Sequence, residues 1–159
     1  MFAYGFGLTY SDQDTLGDDL DESGSSTGGE IVINSIPGLV QAEDYSDMFG
    51  IQIENTTDNG GGSNVGYIES GDWIEYLIDV GDSGDYFVEY RLASLNGSTG
   101  FEVLVDNEKL DTQTVPSTGG WQNWVTESST LTLDAGQQVL RINALGPSWN
   151  INWLRFTRI

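Results

Sequence analysis

From residue 31 onward the apolar residues come in short runs rich in Val, Ile, Tyr and Phe, broken about every ten residues by Gly, Asn, Asp or Ser. No stretch carries a helical period of useful length, and the spacing is that of strands and turns, which predicts an all-β sandwich. Strands are expected at residues 31–33, 39–43, 64–68, 72–80, 84–93, 101–105, 121–133, 137–144 and 151–157, enough for two stacked sheets. Within 72–80 strict alternation puts Ile74, Tyr76, Ile78 and Val80 on one face and Trp73, Glu75, Leu77 and Asp79 on the other. The same parity in the next strand buries Tyr86, Val88, Tyr90 and Leu92 and turns Phe87, Glu89 and Arg91 outward, with Arg91 in reach of Glu75 or Glu89.

The pattern changes upstream. Residues 11–30, SDQDTLGDDLDESGSSTGGE, hold many carboxylates, no base and almost nothing apolar, which reads as a solvated linker. Before it, residues 1–11 alternate aromatics with glycines, too short to fold alone and too apolar for linker. The expected organisation is therefore a remnant of an upstream region (1–11), an acidic linker (12–30) and one β-sandwich module (31–159).

Charge and composition narrow the function. The 159 residues include 25 acidic and five basic side chains, a net charge of −20. With no basic stripe to follow phosphates, nucleic acid and anionic membranes are poor partners, whereas neutral sugars and divalent cations remain suitable. The absence of Cys and His removes thiolate chemistry, the commonest general base and the commonest transition-metal ligand. The opening MFAYGFGLTY lacks the basic start and unbroken apolar run of a secretory leader, and no window approaches the roughly 20 apolar residues of a membrane span. A soluble piece of a longer protein is the expectation.

Five Trp residues are more than a core of this size needs, and Trp121, Trp124 and Trp149 stand beside Gly, Asn, Pro or Ser where strands meet loops. An aromatic ring offers sugars a flat apolar surface, and amides and carboxylates bond their hydroxyls. In TGGWQNWVT the glycines free Trp121 to stand at a loop edge as a ligand ring, and Trp124 is expected to turn into the core. In GPSWNINWLRF alternation pairs Asn150 with Asn152 on one face and Trp149, Ile151 and Trp153 on the other. Glu54, Glu69, Glu75 and Glu127 are available for glycoside hydrolysis, but nothing marks any two as a matched pair. For metals, only hard cations suit oxygen ligands; VQAEDY puts Gln41 and Glu43 on one face of an N-terminal strand, where a calcium ion would tie the termini together.

Taken in order, LVQAEDY, GGGSNVGYIESGDWIEY, VPSTGGWQNWVT and WNINWLRF strongly resemble carbohydrate-binding module family 6, over a stretch from about residue 36 to the end. The resemblance implies a jelly-roll, galactose-binding-like sandwich of two antiparallel sheets, non-catalytic, attached to a polysaccharide hydrolase. It implies a loop-end site in which Tyr67 and Trp121 sandwich a sugar and Asn150 bonds its hydroxyls, with Glu54 helping to choose the ligand. It implies a second site on the concave sheet face around Trp73, and a structural Ca2+ held by Gln41, Glu43, the Gly62 region and Asn152, where Asn stands in place of the family's frequent Asp. FAYGFGLTYSD looks like the closing stretch of glycoside hydrolase family 3 enzymes, implying an upstream catalytic domain in the same chain. That parent points to β-glucan ahead of agarose chain ends and xylan, in a secreted, periplasmic or cell-surface bacterial setting that the acidity suits to the sea. The competing classes are a structural or oligomerisation domain, which would bury Tyr67 and Trp121, and an intrinsic glycosidase.

Overall fold

A computed structural model describes residues 30–159 of the chain, and within it Val32–Ile159 forms a compact unit. The expectations for the upstream remnant and for nearly all of the acidic linker lie outside the described residues. Among the described residues twelve strands follow one another: Ile33–Ile36 (β1), Gly38–Gln41 (β2), Asp47–Phe49 (β3), Gln52–Asn55 (β4), Ser63–Gly66 (β5), Trp73–Val80 (β6), Gly84–Ser94 (β7), Ser98–Val105 (β8), Glu108–Val115 (β9), Gly120–Leu133 (β10), Gly136–Ala144 (β11) and Asn150–Arg158 (β12). One sheet runs β1-β6-β11-β8-β9 with β3 also on β6, and the other runs β10-β7-β12-β5-β4 with β2 also on β12.

The two-sheet sandwich is as expected, with one correction to its antiparallel character: β1 pairs parallel to β6. Three strands escape the sequence pattern. β3 and β4 are short with mostly exposed residues, and β9 reads EKLDTQTV, a polar edge strand whose pairing to β8 rather than its own hydrophobicity makes it a strand.

The core follows the alternation. Ile74, Tyr76, Ile78 and Val80 of β6 and Tyr86, Val88, Tyr90 and Leu92 of β7 are all buried between the sheets. The buried tyrosines of these two strands keep their hydroxyls satisfied: Tyr76 donates to the Ala42 carbonyl at 2.7 Å, Tyr86 to the Asp82 carbonyl at 2.6 Å, and Tyr90 shares a bond with Ser129 at 3.0 Å.

The charge partners differ from expectation. Arg91 pairs with Asp58 at 2.8 Å, while Glu75 goes to Arg141 at 3.0 Å and Glu89 lies 3.9 Å from Arg155. Cross-strand neighbours set these pairs: Arg141 is in register with Glu75, and Arg155 with Glu89. Asp58, on the loop between β4 and β5, reaches Arg91 from outside any ladder.

Candidate functional site

Two breaks in the ladders shape one end of the sandwich. The register of β10 against β7 shifts between Gly120 and Val125, so residues 121–124 leave the regular pairing. The register of β12 slips between Ile151 and Trp153, so Asn152 is the extra residue and alternation fails across it. Asn150, Ile151 and Asn152 are consequently all buried, whereas Trp153 lies half-buried with the Arg155 guanidinium 4.4 Å from its ring. This corrects the two-face reading of the last strand.

Trp121 swings out of the bulge and is 45% exposed, and Tyr67, just past β5, is 62% exposed. Tyr67 has φ of 57° and Ser148, opposite, 72°; left-handed backbone at two non-glycine residues turns both toward the opening. Trp149 is not a third ligand ring standing clear: it is 1% exposed, stacks on Phe101 at 4.8 Å, and donates its indole N–H to the Gly146 carbonyl, so it serves as a floor. Trp124 is only partly buried and donates to Gln122 Oε1 at 3.3 Å; it does not join the core as expected, because the bulge carries it to the sheet's outer side.

Tyr67, Trp121, Asn150 and Glu54 line one open cleft of about 490 Å³, together with Gln122 and Glu69. Glu54 Oε2 accepts from Asn64 Nδ2 at 3.2 Å, Gln122 Nε2 at 3.1 Å and Asn150 Nδ2 at 3.2 Å. Asn150 Nδ2 also donates to the Trp121 carbonyl at 2.7 Å, tying the amide to the backbone of the exposed ring. Gly66 makes room for this arrangement, since a Cβ there would stand 2.7 Å from Asn150 Oδ1. Gln122 and Asn64 carry the network yet went unmarked in the sequence; Gln122 follows Trp121 inside a Gly-flanked break, which was the available signal.

Trp73 does face outward on β6, but its ring lies under the Arg141 guanidinium, 4.3 Å from its centre. Phe49 and Asn143 stand opposite it on the neighbouring strands, forming a cross-strand row on that face. It shares no part of the cleft at the loop end.

The residues named for calcium lie near one another. The Asn152 carbonyl accepts from the Ala42 N–H at 3.0 Å, between Gln41 and Glu43, and a Cβ on Gly62 would be 3.9 Å from Glu43 Oε2. Glu43 Oε1 is buried with no hydrogen-bond partner, and burial pushes its carboxyl above the ordinary range. An unpartnered buried carboxylate oxygen fits a hard cation. Asn152 uses its Nδ2 to donate to Asp58 at 2.8 Å, leaving its Oδ1 for such an ion. Among the described residues no three His, Cys, Asp or Glu side chains converge, so any such site leans on amides and carbonyls.

The comparisons agree with this geometry. The model of carbohydrate binding module family 6 matches residues 41–158. The chain is 44% identical over 124 residues to the clotting factor G alpha subunit of Tachypleus tridentatus, spanning 76% of this chain and 18% of that protein's length. It superposes with a TM-score of 0.70 and 42% identity on a family 6 module of Cellvibrio mixtus lichenase 5A in complex with cellotriose, covering 77% of this chain and 98% of that one. The C-terminal family 6 module of a marine laminarinase from Zobellia galactanivorans gives 0.72 and 38%, covering 76% and 98%. A two-sheet sandwich with this loop-end cleft, and a family match running almost to the C-terminus, place the chain in carbohydrate binding module family 6.

Proposed function

We propose that this non-catalytic carbohydrate-binding module holds β-glucan, β-1,3- or β-1,4-linked, in the cleft between Tyr67 and Trp121. The observation carrying this reading is the pair of exposed rings flanking a fixed carboxylate and amide, Glu54 and Asn150, in one cleft. Rings accept the C–H faces of a sugar and the Glu54 and Asn150 oxygens accept its hydroxyls. The cleft's charged residues are Glu54 and Glu69, both acidic, which suits an uncharged glycan. The cellotriose complex of the Cellvibrio mixtus module and the laminarinase parent of the Zobellia module support β-glucan over agarose ends and xylan. A structural or oligomerisation domain would cover both rings with a partner surface, and the absence of any glycan binding would favour it.

In this reading the module belongs to a secreted, periplasmic or cell-surface glycoside hydrolase and raises the local substrate concentration of that catalytic domain. A single site of two rings and a few polar groups gives micromolar to millimolar affinity. A structural Ca2+ would be held by Gln41, Glu43, the Gly62 region and Asn152, and would supply a positive charge beside the unpartnered Glu43 oxygen. A second site is read around Trp73, favoured by its row with the exposed Phe49.

The test is calorimetric titration with laminarin-, cellulose-, xylan- and agar-type oligosaccharides, with Trp121→Ala in parallel. Binding of a β-glucan series that Trp121→Ala weakens by about 30-fold or more supports the proposal. Heat only with agar or xylan series reassigns the ligand, and no heat with any glycan overturns the binding site.

A further inference from the structure

Gln122 sits in the β10 bulge with both ends of its amide engaged. Its Oε1 accepts from the Thr57 backbone N–H at 2.8 Å, with Thr56 Oγ1 and Thr57 Oγ1 each at 3.3 Å. Its Nε2 faces Glu54 Oε2 and Asn64 Oδ1, both at 3.1 Å. Two acceptors on one side and a backbone donor on the other leave a single amide orientation that satisfies all of them. Both N–H hydrogens are spent inside the protein, so Gln122 has none left for a sugar. Glu54 Oε2 is likewise saturated by three amides, whereas among the described residues no side chain or backbone N–H bonds its Oε1.

We propose that Gln122 is the positioning residue of the cleft: it fixes the Glu54 carboxylate so that Oε1 is presented as acceptor to two neighbouring sugar hydroxyls, and it anchors the 56–57 turn to the bulge that carries Trp121. This rests on the reading of the cleft as the glycan site. Preorganisation is the physical gain, because an unrestrained glutamate would lose rotamer freedom on each binding event. Gln122 joins Glu54 and Asn64, 68 and 58 residues away, into one unit, and the ring and the carboxylate are set by the same side chain.

Gln122→Glu separates the two roles. It keeps an acceptor for Thr57 but aims a second carboxylate at Glu54. At pH 7.5 we expect laminari- or cello-oligosaccharide affinity to fall at least tenfold, and to recover as pH is lowered toward 5.5, where two like charges in contact share a proton. Wild-type affinity should stay flat over that range. The exchanged pair, Glu54→Gln with Gln122→Glu, removes the like-charge contact and its pH dependence but sets an amide N–H2 against the Asn64 and Asn150 Nδ2 donors; its affinity should remain low at both pH values. Wild-type-like affinity of Gln122→Glu at pH 7.5 overturns the proposal, as does a loss that is equal at both pH values. If the wild type itself takes none of these oligosaccharides, the reading of the cleft fails and this inference falls with it. Binding by the wild type with an unaffected Gln122→Glu overturns this inference alone.

Discussion

The Arg141 guanidinium lies 4.3 Å from the centre of the Trp73 ring and is itself held by Glu75 at 3.0 Å and by Asn143 Oδ1 at 2.7 Å. One ring face is thus covered by a cation, and a sugar stacking on that face must displace it. Trp73→Ala should leave the dissociation constant for a trisaccharide within twofold, because the loop-end cleft is independent of it. With long chains the fitted stoichiometry should fall from two sites to one. An unchanged stoichiometry with long chains would remove the second site.

Trp121 and Trp149 provide a contrast within one cleft. Trp121→Ala removes an exposed ring and should lower affinity by about 30-fold, or about 2 kcal/mol, with little change in melting temperature. Trp149→Ala removes a buried ring stacked on Phe101 and should cost about 3–5 kcal/mol of folding stability, read by chemical denaturation.

Glu43 gives a metal-linked prediction. Its folded-state pKa is raised above the ordinary 4.5, chiefly by burial, so without metal the folded protein binds the extra proton. Stability in EDTA should therefore decline as pH climbs from about 4.5 through the raised value. Ca2+ should abolish that decline and raise the melting temperature at pH 7. Glu43→Gln should melt higher than wild type in EDTA and show no response to Ca2+.

Asp58 has the opposite sign. The Arg91 guanidinium holds its carboxyl below the ordinary 3.8, and its side chain is 5% exposed. The stabilisation is complete above the ordinary value and is lost as pH falls through the lowered one. Arg91→Met leaves that carboxylate unpaired and should cost about 3 kcal/mol at pH 7, less at pH 2.5, measured by urea midpoints.

Alternation along β6 and β7 and the turn residues between runs determined the sandwich from sequence, because the two-residue period is a local property of the chain. Residue type also marked Trp121 and Asn150, a ring and an amide at loop junctions, whereas Tyr67 and Glu54 were named only through the family resemblance. Where the ladder slips, local reasoning stops. The bulges at 121–124 and at Asn152 come from pairing with β7, and they decided that Trp124 stays outside the core, that Trp149 is a floor and that Asn150 and Asn152 are both buried. The carboxylate partners, Glu54 for Gln122, Asp58 for Arg91 and Glu75 for Arg141, lie 33 to 68 residues away, so no short window of sequence contains them. An amide or guanidinium has no preferred partner in one dimension; only the folding of two sheets onto each other selects one.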